Sequence, residues 1–538
     1  MKQVEIYDTT LRDGSQREGL SLTVEDKLRI ARKIDELGIA YIEGGWPGAN
    51  PKDDEFFSRA KTELKLESAE LVAFGSTRRA GAEAATDEVL AALIAAGTQT
   101  VCIVGKTWDY HVTEALQTTL DEGVAMARDS VAYLKSRGLR VFFDAEHFFD
   151  GYKRNSDYAM EVIRAAADAG ADCVVLCDTN GGTLPHEVEE IVGSVHNELG
   201  DVSIGAHFHN DSGCGVANAL AAVRSGAVQV QGCINGLGER CGNANLSQVI
   251  PNLMLKMGVD CVPLESLERL TEVSHHVAEI ANLPIDPQAA FVGSSAFAHK
   301  AGLHVSAIAR RPDAYEHIKP ELVGNGTRLV VSELAGRSTV IIKAHEMGID
   351  LEARPDVVAE ILTTLKNLEH VGYHFEAADG SFELLVRNAA GWEQSYFRLE
   401  GFRVIMESNA DGRVATEATI KVHAGGERII ATAEGNGPVN ALDRALREAI
   451  GSIYPELENL HLTDFKVRVL DTSKGTGAVT RVLIDSTDGT HSWSTIGVSE
   501  NMIEASWQAL QDSIICGLVN STRNQPQLAL TPDGGSPD

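Results

Sequence analysis

The chain has 538 residues, of which 43% are hydrophobic and 23% are charged, and its formal net charge at pH 7 is −30. This length exceeds one ordinary domain and the composition is that of a soluble globular protein, so we expect two or three domains. The large negative charge argues against partners such as nucleic acid or an anionic membrane surface. No run approaches the roughly 18 continuous apolar residues of a membrane span, so none is expected.

Cysteine usage and the first residues bear on the cellular compartment. The chain has eight cysteines, and no two of them form a Cys-x-x-Cys pair. This usage is typical of a reduced protein rather than of a disulfide framework. An apolar, strand-like run at residues 4–7 stands where a signal peptide would have a basic and then a hydrophobic region. We therefore expect a cytoplasmic protein.

A strand-then-helix rhythm runs from residue 3 to about residue 256 and indicates an α/β fold. Amphipathic helical segments such as residues 23–37 separate apolar, β-branched runs, and glycines mark the helix ends. Eight strands alternating with eight helices over roughly 250 residues are the signature of a TIM (β/α)8 barrel, with a doubly wound sheet as the alternative. The strand-like runs are residues 4–7, 40–43, 70–74, 100–104, 140–144, 172–177, 203–207 and 228–234.

Polar side chains follow these predicted strands where each strand ends. In a TIM barrel the carboxyl ends of all strands meet on one rim, which carries the active site. Six strands contribute polar groups there, a placement that scattered surface polarity would not be expected to show. The residues are Arg12, Asp13, Glu43, Glu146, His147, Asp178, Thr179, Asn180, His207, His209 and Asn243.

Four of these residues form a candidate metal-ligand set. His207 and His209 lie on one face of a strand, because side chains alternate with period two. Alone they could be two hydrogen-bonded core histidines, but Asp13 and Asn243 add a carboxylate and an amide oxygen on the same rim. This set is complete for one divalent ion. Mixed oxygen and imidazole ligands accept Mg²⁺, Mn²⁺, Co²⁺ or Zn²⁺, so they do not select the metal.

Each candidate also has a plainer structural explanation. Asp13 could stabilise a turn, and Asn243 could cap a helix. Arg12 offers a fixed positive charge to an anionic substrate, but it could simply neutralise Asp13 or Glu43. Glu146 is the strongest acid–base candidate on the rim, although it could be a solvated loop acid.

Three motifs carry a resemblance to a known family. Thr-Leu-Arg-Asp-Gly-x-Gln at 10–16, His-x-His at 207–209 and Gly-Glu-Arg-x-Gly-Asn at 238–243 resemble the DRE-TIM metallolyase superfamily. They are more similar to its Claisen-condensing branch of 2-isopropylmalate, homocitrate and citramalate synthases. Within this branch, residues 142–153 and 297–304 resemble the (R)-citramalate synthases.

The resemblance implies an acyltransferase that condenses acetyl-CoA with pyruvate and water, giving (R)-citramalate and CoA in the threonine-independent route to isoleucine. One alternative is a 2-isopropylmalate synthase of leucine biosynthesis, with 2-oxoisovalerate as the acceptor; 2-oxoglutarate would need a further cation. Asp144 and His147 stand where more neutral residues are expected beside a branched apolar side chain, which weighs against 2-oxoisovalerate. An alternative of another class is a non-catalytic, amino-acid-sensing dimer.

The resemblance also implies a role for each site residue. Arg12 would stabilise the alkoxide that develops as the carbon–carbon bond forms, and Gln16 and Thr179 would bind the substrate. Glu146 and His304 would act as an acid–base pair, with His304 reaching the barrel mouth of the neighbouring subunit in a homodimer. Tyr315 would reach the substrate from the same segment as His304. The metal ligands would be Asp13, His207, His209 and Asn243.

We expect a catalytic barrel at 1–258, mainly helical linker subdomains at 259–390, a C-terminal α+β domain at 391–522 and a disordered tail at 523–538. Two blocks of the α+β domain share three strands, a glycine turn and a helix; the first begins at Phe397 and the second near Leu462. This repeat resembles the family's allosteric domain, which implies a dimer inhibited by isoleucine. A dimerisation domain without a ligand is the alternative.

Overall fold

The computed structural model describes residues 3–299, 307, 311, 314–329, 336–392, 396–408, 414–470 and 472–523. The chain divides into two compact units, one of residues 1–297 and 316–327 and the other of residues 298–315 and 328–538. In the described ranges, no helix is long and apolar enough to cross a membrane. The tail predicted to be disordered lies outside these ranges from residue 524 onward.

The first unit is built on a closed barrel of eight parallel strands in sequential order, in which β8 pairs with β1. This topology confirms the predicted TIM barrel and excludes the doubly wound sheet. The strands are β1 (Glu5–Asp8), β2 (Tyr41–Gly45), β3 (Glu70–Ser76), β4 (Thr100–Lys106), β5 (Arg140–Glu146), β6 (Cys173–Asp178), β7 (Ile204–Phe208) and β8 (Gln229–Gly232).

Helices surround this barrel. The first helix begins after Thr23, whose hydroxyl accepts from the backbone N–H of Asp26 while the Asp26 carboxylate accepts in return, a capping box. The helices are α1 (Val24–Asp35), α2 (Pro51–Glu63), α3 (Glu88–Ala96), α4 (Leu120–Ser136), α5 (Phe148–Arg154), α6 (Ser156–Asp168), α7 (Pro185–Leu199), α8 (Gly215–Arg224), α9 (Leu246–Pro251) and α10 (Leu270–Ile280). The short 3₁₀ turns include Gly14–Gln16, which directly follows Asp13.

Side chains of a barrel strand alternate between the interior and the helix layer. The lower interior is an apolar cluster that includes Tyr7, Cys102 and Phe142. Towards the carboxyl ends of β4 and β5, positions 104 and 144 lie above this cluster. Lys106 and Glu146 are the last residues of the two strands. The polar groups of the candidate site therefore lie above this apolar cluster, at the carboxyl ends of the strands.

The second unit contains two three-stranded antiparallel sheets, each followed by a helix, which confirms the predicted repeat. Its strands are β9 (Ala298–His299), β10 (Arg328–Leu329), β11 (Phe397–Ser408), β12 (Val414–Ala424), β13 (Glu427–Gly435), β14 (His461–Val469), β15 (Thr480–Thr487) and β16 (Ser492–Ser499). Its described helices are α11 (Arg337–Glu346), α12 (Pro355–His370), α13 (Asp379–Ala389), α14 (Pro438–Ile450) and α15 (Met502–Arg523). Alternate residues of β12, such as Ile420 and Val422, are buried in one cluster with Leu442 and Leu446 of α14.

Candidate active site

Three predicted metal ligands converge at the carboxyl ends of β1 and β7. Oδ2 of Asp13 lies 3.3 Å from Nε2 of His207 and 3.8 Å from Nε2 of His209. The two Nε2 atoms lie 3.4 Å apart, and all three side chains are buried. Their ligand atoms lie close enough together to bind one metal ion.

Asn243 is brought to this cluster by an isolated β-bridge with His209. Nδ2 of Asn243 donates to the carbonyl of Leu237 at 3.0 Å, whereas its buried Oδ1 has no hydrogen-bond partner among the described residues. Leaving a buried acceptor unsatisfied costs about 1–3 kcal/mol. Ligation of a cation would satisfy this oxygen, so the orphaned atom fits a metal site.

The loop that carries Asn243 needs glycine at two positions. Gly238 and Gly242 have φ angles of +143° and +83°, which side chains rarely adopt. A Cβ on Gly242 would lie 1.9 Å from the carbonyl oxygen of Gly236, and one on Gly238 would lie 2.2 Å from Nδ2 of Asn243. The two glycines of the motif thus allow the loop to fold back beside the histidines.

The electrostatics of the cluster also suit a cation. Burial alone raises the pKa of Asp13, but Arg12, His207 and His209 together hold that pKa well below its usual range. Burial and the neighbouring His207 lower the pKa of His209 to about 4. Metal ligands must be deprotonated carboxylates and neutral imidazoles, and these two groups already have those forms at neutral pH.

Arg12 lies in the same cavity and is held by a buried carboxylate. Its Nε donates to Oε1 of Glu43 at 2.5 Å, and its Cζ lies 3.8 Å from the centre of the Phe74 ring. Oε2 of Glu43 accepts from the hydroxyl of Tyr7 at 2.6 Å. Nη1 of Arg12 lies 3.6 Å from Oδ2 of Asp13, so both ion pairs proposed from the sequence are present. Glu43 thus occupies Nε of a guanidinium whose Nη1 lies beside Asp13, and the Arg12 side chain lines the cavity.

A cavity of about 550 Å³ lies at the carboxyl ends of these strands. Four further predicted residues line it beside the Asp–His–His cluster: Arg12, Gln16, Glu146 and Thr179. Oγ1 of Thr179 accepts from the backbone N–H of His147 at 2.9 Å, so its own hydroxyl proton can be donated to a bound ligand. Asp144 lines the cavity as well, whereas His147 does not.

Lys106 belongs to the site although the sequence pattern did not indicate it. It ends β4 in register with Glu146, which ends β5. The ammonium and carboxylate groups of this pair form an ion pair, and both side chains line the cavity. The predicted strand stopped at residue 104, and only its extension by two residues places Lys106 on the interior face.

Gln231 is a second residue that the sequence pattern did not indicate. Its Oε1 lies 2.9 Å from Nδ1 of His207, and its Nε2 donates to Oδ1 of Asp144 at 3.0 Å. All three side chains are buried, and burial raises the pKa of Asp144. A glutamine inside a buried parallel strand was a signal in the sequence, because such strands are normally apolar throughout.

Two predicted residues do not enter this geometry. His304 lies outside the described residues. Tyr315 belongs to the second unit, where its side chain is exposed. Their predicted roles in a neighbouring subunit therefore stay predictions.

A closed (β/α)8 barrel with an Asp–His–His cluster and an orphaned amide oxygen at the carboxyl ends of its strands defines a class: the TIM-barrel enzymes with a candidate metal centre. Residues 3–277 match the HMGL-like family, and residues 291–372 match the homocitrate synthase post-HMGL domain-like family. Residues 376–515 match the LeuA allosteric (dimerisation) domain.

Relatives match along nearly the whole chain. The (R)-citramalate synthase of Streptomyces coelicolor is 54% identical over 517 residues, covering 96% of this chain and 97% of that protein. The (R)-citramalate synthase of Aquifex aeolicus is 52% identical over 519 residues, covering 96% of this chain and 98% of that protein. A probable 2-isopropylmalate synthase of Methanopyrus kandleri is 34% identical over 511 residues, with coverage of 94% and 97%. The chain belongs to the (R)-citramalate synthase family.

Proposed function

We propose that this protein is an acyltransferase that condenses acetyl-CoA with pyruvate and water to give (R)-citramalate and CoA. The observation that carries the proposal is the 54% identity to an (R)-citramalate synthase across 517 residues, in a chain whose barrel has an intact ligand cluster. The 34% identity to a probable 2-isopropylmalate synthase makes leucine-pathway chemistry the second candidate. The buried cluster with its orphaned oxygen argues against a non-catalytic sensor, because such a sensor would have no use for it.

In this proposal, residues of the first unit bind the metal ion, stabilise the developing charge and bind the pyruvate carboxylate. Asp13, His207, His209 and Asn243 would hold a divalent ion, which when bound supplies Lewis-acid polarisation of the keto group of pyruvate. Arg12 stabilises the developing alkoxide, an interaction of about 3–4 kcal/mol in the transition state. The hydroxyl of Thr179 donates to the pyruvate carboxylate, and Gln16, which also lines the cavity, binds the substrate.

Glu146 is the base in this proposal and removes a proton from the acetyl methyl group. Its position in the cavity wall, beside the cluster, supports this role. His304 and Tyr315 would be supplied by the second subunit of a homodimer, and a Glu–His pair could also activate the water that hydrolyses citramalyl-CoA. The roles of His304 and Tyr315 rest on the resemblance of each to a residue of the family.

The cavity wall favours pyruvate as the acceptor. Asp144 is a buried carboxyl group that lines the cavity. Asp144 gives this part of the wall a polar group instead of the apolar contact that an isopropyl group would need, which favours the smaller methyl group of pyruvate. A single methylene changes substrate preference by only about 1–3 kcal/mol, so the preference must be measured.

We assign catalysis to residues 1–258, a linker to residues 259–390 and isoleucine-regulated dimerisation to residues 391–522. The match of residues 376–515 to a dimerisation domain supports this assignment. Strand β14 adds support, because four of its apolar side chains are exposed within the described second unit: Leu462, Phe465, Val467 and Val469. Apolar patches of this kind mark interaction surfaces, and a second copy of the chain is the occupant we propose.

The test is CoA release by the purified protein with acetyl-CoA and Mn²⁺ or Mg²⁺. Pyruvate, 2-oxobutyrate, 2-oxoisovalerate and 2-oxoglutarate are compared, each with and without isoleucine or leucine. We expect preference for pyruvate and suppression by isoleucine; preference for 2-oxoisovalerate with leucine suppression would move the protein to the leucine pathway. The His207→Ala variant should lose turnover, and His186→Ala, at an exposed histidine of α7, should keep it.

A further inference from the structure

We propose that Lys106 is a further catalytic residue: its ammonium group receives the thioester oxygen of acetyl-CoA as Glu146 removes the methyl proton. This inference rests on the proposed function, because it takes acetyl-CoA as the substrate at the barrel mouth. The family resemblance assigned no role to Lys106, and the inference comes from the position of this side chain at the end of β4.

The geometry of the pair is fixed by the barrel. Lys106 and Glu146 are the last registered partners of β4 and β5, and they follow the interior positions 104 and 144 on these strands. Their side chains are 29% and 23% exposed, and both contribute to the cavity wall. In the described part of the chain, Glu146 is the one ion-pair partner of Lys106. The pair therefore presents a carboxylate and an ammonium group side by side to a molecule bound in the cavity.

An acetyl thioester is complementary to such a pair. Its acidic C–H bonds and its carbonyl oxygen belong to adjacent carbons, so they can face a neighbouring base and cation together. Glu146 takes the proton, the C–H electron pair becomes the carbon–carbon double bond of the enolate, and the carbonyl π pair moves to the oxygen beside Lys106. The enolate carbon then attacks the keto carbon of pyruvate, and the displaced electron pair moves to the keto oxygen that Arg12 faces.

Proton transfer also frees the cation. Before the step, the charge of Lys106 is balanced by the carboxylate of Glu146. Once Glu146 is protonated it is neutral, and the enolate oxygen is the anion that takes its place beside the ammonium group. The ammonium group of Lys106 therefore has an anion beside it both before and after the proton transfer, and no solvent has to move. A preorganised cation is most effective under this condition.

Other cations of the cavity wall are held elsewhere. Arg78 donates to Glu122 at 2.6 Å and to Asp129 at 2.8 Å, and Arg240 donates to Asp211 at 2.8 Å. None of these three carboxylates lines the cavity. Arg240 also lies 3.5 Å from Glu239, which does line the cavity, but Glu239 is not the base of the proposed function.

Arg79 pairs with Glu88 at 3.3 Å, and Arg12 is held by Glu43. Glu88 and Glu43 do not line the cavity. Arg12 also lies 3.6 Å from Asp13, which lines the cavity as a proposed metal ligand and not as the base. Lys106 is thus the cation of the cavity wall that pairs, among the described residues, with the proposed base Glu146. Its ammonium group can therefore stabilise the negative charge that develops on the thioester oxygen.

The test compares Lys106→Met and Lys106→Arg with Lys135→Met. Lys135 of α4 forms a similarly exposed pair at 2.7 Å with Asp172, which directly precedes β6, so it controls for the loss of a lysine ion pair. With methyl-deuterated acetyl-CoA we expect Lys106→Met to lower kcat about 10²- to 10³-fold and to raise the primary isotope effect on kcat. Lys106→Arg should retain activity within about tenfold of wild type, and methylammonium should partly rescue Lys106→Ala. Lys135→Met should match wild type.

Two measurements separate catalysis from structure. Mn²⁺ binding by equilibrium dialysis and the KM for pyruvate should stay near the wild-type values in Lys106→Met. Unchanged kcat, an unchanged isotope effect, or a parallel loss of Mn²⁺ binding would overturn the proposal and leave Lys106 a structural partner of Glu146. A wild-type protein that releases no CoA with any oxo acid would instead reject the proposed function itself.

Discussion

Nδ1 of His207 lies 2.9 Å from Oε1 of Gln231. Because Nε2 of Gln231 donates to Asp144, the oxygen of the amide faces the imidazole, so Nδ1 of His207 carries a proton and donates it. When the ring is neutral, its lone pair is therefore on Nε2, the atom directed at Asp13 and His209. Gln231 thus selects the tautomer of His207 that can ligate a metal.

This contact predicts the effect of Gln231→Leu on metal affinity. Loss of such a partner typically weakens metal binding by about 10- to 100-fold, and we expect this for Mn²⁺ measured by equilibrium dialysis. Gln229→Leu is the matched control, because Gln229 lies on the same strand and neither of its buried amide atoms has a hydrogen-bond partner among the described residues. Equal Mn²⁺ affinities in the two variants would show that Gln231 does not orient His207.

The buried Arg12–Glu43 pair predicts a loss of turnover in Glu43→Gln. The amide oxygen of this variant can still accept from Nε of Arg12, but the charge that anchors the guanidinium is lost, so Arg12 is held less firmly and kcat should fall at least about tenfold. Tyr7→Phe removes the other hydrogen bond of Glu43 but keeps the ion pair. It should cost about 1 kcal/mol of unfolding free energy and little kcat. A similar loss of kcat in both variants would instead attribute the position of Arg12 to the tyrosine.

Gly242→Ala should weaken Mn²⁺ binding and destabilise the protein. Its Cβ would meet the carbonyl oxygen of Gly236 at 1.9 Å, so the loop must move and take Asn243 with it. Gly213→Ala controls for backbone strain, because Gly213 has a φ of +73° but no atom within 4 Å of the added Cβ. The control should lose about 1–2 kcal/mol of unfolding free energy and no Mn²⁺ affinity. Retained affinity in Gly242→Ala would contradict the proposed ligand role of Asn243.

Asp512 predicts a pH-dependent stability for the second unit. Burial raises the pKa of Asp512 to about 6, although the hydroxyl of Ser381 donates to it at 2.7 Å. Folding therefore favours the protonated form, and the free energy of unfolding should fall as pH rises from about 4 to about 6, by at most about 3 kcal/mol. Asp512→Asn should remove this contribution and be more stable than wild type at pH 7.

Urea unfolding of the full chain between pH 4.5 and pH 7.5 measures this difference. Ser381→Ala removes the hydrogen bond that favours the carboxylate, so the decline should extend to higher pH. A constant difference between Asp512→Asn and wild type across this range would mean that Asp512 keeps its ordinary pKa in the folded protein.

The barrel could be predicted because buried parallel strands are continuous apolar runs between glycine-terminated helices. Residues 100–104 were predicted as a strand and the structure has Thr100–Lys106; Gly97, with a φ of +79°, ends the helix before it. The ligand cluster was predictable for a related reason. Once the strands are placed, barrel geometry alone brings Asp13 and His207 to one rim.

Contacts across the interior could not be read from local pattern. The pairing of Lys106 with Glu146 depends on how far β4 and β5 extend, and hydrophobicity does not mark where a strand with polar end residues stops. The contact of Gln231 with His207 joins β8 to β7 and depends on the register of the closed sheet. Such register is a property of the assembled barrel and not of either strand alone.

The buried polar contacts described above form one continuous series around the barrel interior. The series is Tyr7, Glu43, Arg12, Asp13, His207, Gln231 and Asp144. Because each member is the partner of the next, replacing one leaves its neighbour unsatisfied, and the energetic effects of two replacements do not add. Evolutionary change in this series should therefore occur in correlated pairs, whereas a purely apolar member of the cluster below, such as Phe142, has no hydrogen-bond partner to lose.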